Sequence, residues 1–154
     1  MATRSAGLLI YRRKGGGLQL LLVHPGGPFW AKKDEGSWSI PKGLVMENED
    51  ELAAARRESE EELGIAVEGI CQPLGSYKQP SGKVVAAWSV ESGIDADAIR
   101  SNTFVLEWPP KSGLMKEFPE VDRAAWFSLS QAEPKILKGL RPMLRDFEIA
   151  MSAT

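Results

Sequence analysis

Residues 43–65 constrain this chain more than any other stretch, because they join an expected helix to a dense group of carboxylates. The residues from about 50 to 63 have helical character, and each step along a helix rotates the side chain by roughly 100°. Glu58, Glu61 and Glu62 are then spaced i, i+3 and i+4. The sequence therefore predicts a helix with three carboxylates on one face.

A neighbouring arc of the same helix is predicted to be buried. Its members are Leu52, Ala55, Ser59 and Leu63. We expect Asn48 to cap the start of the helix, with Glu51 three residues later completing a capping box. Gly64 stands where a left-handed residue commonly ends a helix. The stretch is thus a loop, a helix and a second loop.

The acidic face is unfavourable by itself, because like charges one turn apart cost about 0.2–0.5 kcal/mol per pair. No Lys or Arg follows the carboxylates within the helix. A divalent cation would offset the repulsion, and hard carboxylate oxygens suit Mg²⁺ or Mn²⁺. The alternative is a solvated acidic face, since glutamate is a common helix former.

A basic turn, Pro41-Lys42-Gly43, precedes the helix and places a cation beside a flexible residue. A cation at one end and carboxylates along one side suit a substrate whose phosphates are bridged by metal. Glycine at position 43 also lets the backbone approach a metal closely, which a Cβ would hinder.

The whole stretch resembles the signature of the Nudix hydrolases, Gly-x5-Glu-x7-Arg-Glu-U-x-Glu-Glu-x-Gly-U, in which U is a bulky aliphatic residue. Ser59 departs from the pattern, since it occupies a position that is usually aliphatic. The matching residues are Gly43, Glu49, Arg57, Glu58, Glu61, Glu62, Gly64 and Ile65.

The resemblance implies an α+β fold, the α/β/α sandwich with a mixed central sheet, a catalytic loop-helix-loop and a C-terminal helix, over one domain spanning residues 1–154. It implies metal-dependent hydrolysis of a nucleoside diphosphate linked to another group. Glu61, Glu58 and Arg57 are then the catalytic residues, and Arg57 is expected to orient a signature glutamate. The implied metal ligands are Gly43, Glu58, Glu61, Glu62 and Glu120.

Two further stretches resemble the branch of the family that hydrolyses dinucleoside polyphosphates. One is the Pro-Lys-Gly turn, in which the resemblance places Lys42 beside the polyphosphate. In the other, Glu120 precedes Trp126 by six residues, and the resemblance implies that Glu120 binds metal or takes a proton from water. Glu117 is the alternative carboxylate. Trp126 is expected to pack in the core.

A long loop over residues 24–37 is rich in proline and glycine, and loops of this length are often functional. Exposed Trp30 beside Lys32 would stack a base and contact a phosphate. Alternatively, Phe29 and Trp30 fold back over the core. His24 is the chain's single histidine, so we expect a structural role rather than a zinc site. Tyr77 is the remaining predicted substrate contact.

The other elements follow from apolar runs and turn residues. Strands are predicted at 5–12, 18–23, 67–77, 83–91 and 103–108, a helical turn at 95–99, a loop at 109–119, and helices at 130–136 and 141–151.

The composition of the chain limits the kinds of partner that we expect it to bind. The net charge of −2 gives no sign of a general nucleic-acid binder. Cys71 is the single cysteine, so it cannot form an internal disulfide, which fits a reducing cytoplasm. No stretch approaches the roughly 18 apolar residues of a membrane-spanning helix. We expect a cytoplasmic monomer or homodimer whose partner is a small nucleotide.

The preferred substrate is a dinucleoside polyphosphate such as diadenosine tetraphosphate, cut asymmetrically with Mg²⁺ or Mn²⁺. Nucleoside triphosphates and diphosphoinositol polyphosphates are the alternatives within the family. A non-catalytic, nucleotide-binding sensor is the alternative of another class, although such modules usually lose signature glutamates, and all are present here.

Overall fold

A computed structural model describes residues 3–153. Its strands are β1 (Arg4–Lys14), β2 (Gly17–Pro25), β3 (Lys42–Leu44), β4 (Gln72–Lys78), β5 (Val84–Glu91), β6 (Thr103–Glu107), β7 (Met115–Pro119) and β8 (Val121–Ser128). Its α-helices are α1 (Glu51–Leu63), α2 (Leu129–Lys135) and α3 (Arg141–Ser152), with 3₁₀ turns at Ala96–Ala98 and Lys138–Leu140.

A mixed sheet forms the centre of the molecule. Its strand order is β4-β5-β1-β2-β8, and β3 also pairs with β1. The pairing of β1 with β5 is parallel, and β1 and β2 form the predicted antiparallel hairpin. Gly15 and Gly16 make its turn with φ of 60° and 79°, which glycine adopts without a steric cost.

Helices cover both faces of this sheet, because alternate residues of its central strands point to opposite sides. On β1, Leu8 and Ile10 pack in the cluster that contains α1, whereas Leu9 packs with α3. Phe147 of α3 is fully buried in that second cluster. The predicted α/β/α sandwich with a mixed sheet and a C-terminal helix is confirmed.

The N-cap of helix α1 lies two residues later than predicted. Asp50, not Asn48, is the N-cap, and its side chain accepts a hydrogen bond of 3.0 Å from the Ala53 N–H. Asn48 instead has φ of 63° within the preceding turn. Gly64 ends the helix with φ of 70°, as predicted. The predicted Asn48 capping box was therefore wrong, because Asp50, two residues later, caps the helix and Asn48 adopts a left-handed conformation in the turn before it.

Two other predicted elements differ from the structure. Residues 67–71 precede β4 rather than belonging to it, and the Arg56 guanidinium holds them by donating to the carbonyls of Val67 and Gly69. The predicted loop at 109–119 contains β7, which pairs with β6 in a separate ribbon. Most of β7 is exposed, so no buried face imposes an apolar pattern.

The two C-terminal helices lie close to their predicted positions. Ser128 caps α2 in a complete capping box. In α3, Leu144 and Phe147 are buried, and Met151 packs against the same cluster. Within residues 3–153, no helix has the length and apolar character needed to cross a membrane.

Candidate active site

Helix α1 turns its acidic face towards β3. Ala54, Ala55 and Leu63 of the same helix are fully buried. The Glu58 side chain is 16% exposed and the Glu61 side chain 44%, so Glu58 is the more deeply buried of these two carboxylates. Glu62 accepts a hydrogen bond of 3.3 Å from the Lys42 backbone N–H. The structure thus brings the predicted acidic face against the predicted basic turn.

Gly43 allows this close approach. A Cβ built on Gly43 would overlap the carboxylate of Glu58. Glycine is therefore needed at position 43 because any larger residue would clash with the Glu58 side chain in its present position. The backbone of β3 and the Glu58 carboxylate therefore occupy adjoining space.

Arg57 organises the glutamates around it. Its Nε and Nη2 donate to the two carboxylate oxygens of Glu49 at 2.8 and 3.0 Å, a planar two-point contact. Its Nη1 donates to Glu58 at 2.8 Å and lies 3.4 Å from Glu61 Oε1. Its Nη2 also donates to the Leu44 carbonyl. Arg57 therefore links the loop before α1 to two carboxylates of the acidic face.

These contacts perturb the carboxylates in different directions. The hydrogen bonds from Arg57 lower the pKa of Glu49 to about 2. Burial raises the pKa of Glu58 above its ordinary range, against the effect of Arg57. Burial raises the pKa of Glu62 to about 7, reinforced by the charges of Glu58 and Glu120 and opposed by Lys42. The inner part of the acidic face therefore carries negative charge that its surroundings disfavour.

A cavity of about 210 Å³ opens beside this face. It brings together Trp30, Lys42, Glu62 and Glu120, four residues singled out from the sequence. Glu120 immediately precedes β8, and hydrogen bonds of its backbone to Asn102 and Gly26 hold it there. Glu117 instead lies exposed on β7. Of the two alternative carboxylates, Glu120 is therefore the one that lines the cavity.

The loop that carries Trp30 does not fold back over the core. Phe29 is 60% exposed and meets Trp108 edge-on, with ring centroids 5.4 Å apart. Trp30 is 36% exposed, and Lys33 Nζ lies 5.1 Å from its ring centroid. Lys32 is exposed and lies outside the described lining of the cavity. Trp30 thus lines the cavity, whereas Lys32 does not.

His24 anchors this loop from beneath. Its buried ring lies 2.9 Å from Asp122 through Nδ1 and 2.6 Å from the Lys33 carbonyl through Nε2. Both nitrogens therefore have hydrogen-bond partners within the protein, in keeping with the expected structural role. Trp126 is half-buried against the core cluster and donates to the Ile94 carbonyl.

Tyr77, which was predicted to contact the substrate, lies away from the cavity. Its side chain is only 6% exposed and packs in the cluster with α3. Its hydroxyl donates to Asp146 at 2.7 Å. Burial, together with Asp146, raises the pKa of Tyr77 well above its ordinary range. The prediction that Tyr77 binds substrate was wrong, because β4 turns this residue towards the C-terminal helix.

A second, larger cavity of about 510 Å³ adjoins the first and shares Trp30, Lys42 and Leu137 with it. Lys83 and Lys138 also line it. Sequence reasoning missed both residues. Lys83 follows a turn and Lys138 lies in a 3₁₀ turn far along the chain, so no local pattern connects them.

The donor chemistry of the site suits a hard divalent ion. The acidic face offers carboxylate oxygens that repel one another, and the raised pKa of Glu62 reports part of that repulsion. Within residues 3–153, no three side chains of His, Cys, Asp or Glu are grouped closely enough to enclose an ion. A bound ion would therefore need the exposed Glu61 side chain to turn inwards, or water to complete its coordination.

This fold and this arrangement of glutamates define the class of protein. A family profile described as NUDIX domain matches residues 1–147, and the chain belongs to that family. The resemblance noted in the sequence is thereby confirmed.

Two curated relatives carry the name bis(5'-nucleosyl)-tetraphosphatase (asymmetrical). The protein from Caenorhabditis elegans is 40% identical over 68 residues, which cover 44% of this chain and 45% of that relative. The protein from Sus scrofa is 31% identical over 103 residues, or 59% of this chain and 66% of that relative. The matched stretches thus span less than two thirds of either relative's length.

A solved structure of similar fold is a binary complex of C. elegans Ap4A hydrolase. It superposes with a TM-score of 0.69 at 24% identity and covers 99% of this chain and 100% of that one. This similarity confirms the predicted fold over almost the entire chain.

Proposed function

We propose that this protein is a metal-dependent pyrophosphohydrolase that cuts a dinucleoside polyphosphate, such as diadenosine tetraphosphate, asymmetrically. The observation that carries the proposal is the cavity in which Trp30 and Lys42 face Glu62 and Glu120 beside the acidic face of α1. The names of the two curated relatives support the choice of substrate.

The site would hold Mg²⁺, or Mn²⁺ with similar oxygen ligands, through Glu58, Glu61, Glu62 and Glu120 and the backbone of Gly43. When bound, such an ion neutralises phosphate charge and lowers the pKa of a coordinated water. Arg57 contributes by orienting Glu58 and Glu61. Its hydrogen bonds limit the rotamers open to both carboxylates.

The remaining residues bind substrate and handle the proton. Lys42 lies at the edge of the acidic face and binds phosphate. Trp30 stacks on a base, for which its partly exposed ring is suited, and Lys32 on the same loop remains a proposed phosphate contact. Glu120 receives the proton of the attacking water. Water adds to one phosphorus, the bond from that phosphorus to its bridging oxygen breaks, and ATP and AMP leave.

Product analysis by chromatography tests this proposal. The protein and Mg²⁺ are incubated with diadenosine tetraphosphate, common and oxidised nucleoside triphosphates, a nucleotide sugar and a diphosphoinositol polyphosphate. We expect ATP and AMP from the dinucleotide, with the other compounds spared. A nucleoside monophosphate plus pyrophosphate from a triphosphate would instead identify a house-cleaning enzyme. Tight nucleotide binding without turnover would identify a sensor.

Two variants separate the acidic face from a general charge effect. Glu61→Gln should lower turnover by about 10²-fold or more, because it removes a charged ligand of the proposed metal. Glu60→Gln is the matched control, since Glu60 is exposed and, within residues 3–153, forms no ion pair with Arg57. Retained turnover in Glu61→Gln would remove Glu61 from the proposed metal site.

We also propose that residues 1–154 form one domain and that it acts in the cytoplasm as a monomer or homodimer on a small nucleotide. Light scattering of the purified chain at several concentrations distinguishes the two oligomeric states.

A further inference from the structure

The buried ring of His24 has hydrogen-bond acceptors at both of its nitrogens. Nδ1 lies 2.9 Å from the Asp122 carboxylate, and Nε2 lies 2.6 Å from the Lys33 carbonyl. Carbonyl and ionised carboxylate oxygens accept hydrogen bonds and do not donate them. A neutral imidazole carries a proton on one nitrogen only, so either tautomer would direct a lone pair at an oxygen. The imidazolium, with a proton on each nitrogen, satisfies both contacts.

The additional proton belongs to the ring rather than to Asp122. Imidazole is intrinsically more basic than a carboxylate, and the Asp122 side chain stays 32% exposed, so water continues to solvate its charge. Both contacts of His24 are then charge-assisted, and the pair as a whole is neutral. The Trp38 ring meets His24 edge-on and also contacts Arg123 and Asp34, so the further charges around that ring are one of each sign.

An irregularity in the sheet supplies the acidic partner. The pairing of β2 with β8 shifts between His24 and Pro25 and leaves Asp122 without a paired residue in β2. A residue at such a bulge can be re-aimed, and here its carboxylate reaches the His24 ring. The Gly26 N–H donates to the Glu120 carbonyl at 2.9 Å beside it. The partner of His24 and the proposed catalytic Glu120 therefore belong to one hydrogen-bonded segment.

Lys33 extends the contact of His24 to Trp30. Its carbonyl accepts from the His24 ring, and its own N–H donates to the Trp30 carbonyl at 2.9 Å. Its Nζ lies 5.1 Å from the Trp30 ring centroid, within the range of a cation–π contact. Trp30 lines the cavity beside the acidic face. A continuous series of contacts therefore runs from Asp122 through His24 to Trp30.

We infer that His24, as an imidazolium, is a positioning residue that fixes Trp30 relative to Glu120 for binding of the substrate's base. The inference deepens the proposed function and rests on it for the role of Trp30. A ring that is already held in place loses less conformational freedom when a base stacks on it. His24 is fully buried and does not line the cavity. Loss of its charge should therefore weaken substrate binding more than it slows the chemical step.

Nuclear magnetic resonance of the full chain, without a histidine tag and with isotope-labelled histidine, tests the protonation state without turnover. Because His24 is the single histidine, it gives one pair of ring nitrogen signals. At neutral pH we expect both nitrogens to carry a proton. Asp122→Asn should lose one of the two protons, since an amide has no charge to stabilise the imidazolium. A neutral ring in the parent chain would overturn the inference.

Steady-state kinetics test the connection to Trp30. His24→Gln removes the charge and cannot donate in two opposite directions. We expect KM for the dinucleotide to rise about tenfold, the cost of ordering one large side chain on binding, with little change in kcat. In a Trp30→Ala background the same substitution should raise KM no further, because the ring to be positioned is absent. A full additional rise would show that His24 acts through general stability and would contradict the inference.

Hydrogen exchange separates this inference from the proposed function. Backbone amides of residues 26–33 should exchange faster in His24→Gln and in Asp122→Asn than in the parent chain. Glu148→Gln is the control and should match the parent, since Glu148 is exposed on α3 and lines neither cavity. If His24→Gln does not fold, as circular dichroism would show, Asp122→Asn at its partly exposed position supplies the same comparison.

Each combination of results has one meaning. If the ring is doubly protonated and the loop exchanges faster in the variants, while the parent chain hydrolyses no dinucleotide, the positioning of Trp30 by His24 stands and the proposed function fails. If the parent chain hydrolyses the dinucleotide while loop exchange and KM are unchanged in both variants, the proposed function stands and the inference fails.

Discussion

The carboxylate of Glu58 lies against the backbone of Gly43, in the space that a Cβ at position 43 would occupy. The overlapping atoms belong to a flexible side chain, so the fold can adapt to a methyl group there by moving the carboxylate. Glu58 would then lose its position relative to the other glutamates. The contact thus connects a glycine of β3 to the geometry of the proposed metal site.

Gly43→Ala should therefore reduce turnover much more than stability. A displacement of about 1 Å in a catalytic group can cost about 10²-fold in rate, and we expect a loss of that order in kcat/KM. Thermal unfolding should show little change in Tm. Gly93→Ala is the control, because a Cβ at Gly93 has no neighbour within 4 Å. Full activity in Gly43→Ala would show that Glu58 need not occupy its present position.

Arg57→Lys should impair the site although it keeps the positive charge. A lysine cannot reproduce the two-point contact with Glu49 while also reaching Glu58. We expect turnover to fall at least about tenfold, with KM changing less than kcat, because the change acts on the orientation of carboxylates. Steady-state kinetics with the substrate that the product analysis identifies measure both constants.

Arg56→Lys provides the comparison for Arg57→Lys. Arg56 contacts the carbonyls of Val67 and Gly69 and none of the acidic face. Its replacement should lower stability slightly and leave turnover intact. Equal losses of activity in the two variants would mean that Arg57 acts through general helix stability rather than through orientation.

Ser59→Ala should stabilise the protein. The Ser59 side chain is fully buried, and its hydroxyl has no hydrogen-bond partner among the residues described. An unsatisfied buried polar group costs about 1–3 kcal/mol, so we expect the free energy of unfolding to rise by about 1 kcal/mol. Urea denaturation measures the change. Ser37→Ala should instead destabilise, since the buried Ser37 hydroxyl donates to Asp34.

Tyr77→Phe should lower stability by about 1 kcal/mol at neutral pH and leave turnover unchanged, because the hydroxyl donates to Asp146 and does not contact the cavity. A loss of turnover with normal stability would restore Tyr77 as a substrate contact. Tyr11→Phe is the control, since the Tyr11 hydroxyl has no hydrogen-bond partner within residues 3–153.

The stability of Tyr77→Phe should also depend less on alkaline pH than the stability of the parent chain. Burial and Asp146 raise the pKa of Tyr77 in the folded protein above the value of about 10 expected in the unfolded chain. The unfolded state therefore releases this proton first as pH rises. The stabilisation is fully present below pH of about 10 and is lost above it. Urea denaturation between pH 8 and about 11 should show a smaller loss in Tyr77→Phe than in the parent chain.

The sequence by itself determined the features that depend on neighbours along the chain. The spacing of Glu58, Glu61 and Glu62 placed them on one face of α1, and Gly64 ended that helix as predicted. The β1–β2 hairpin followed from two apolar runs around a glycine turn. Periodicity and turn chemistry act over a few residues, so a single sequence carries them directly.

Only the tertiary structure decided which distant residues meet. Long-range packing brought Glu120 and Trp30 to the cavity beside the acidic face, buried Tyr77 against α3, and placed Lys83 and Lys138 on the second cavity. Such contacts depend on sheet order, register and helix packing over the whole chain. A shift of register by one residue would reverse the face to which a strand side chain points. The local pattern therefore supplied the chemistry of the helix, and long-range packing completed the site around it.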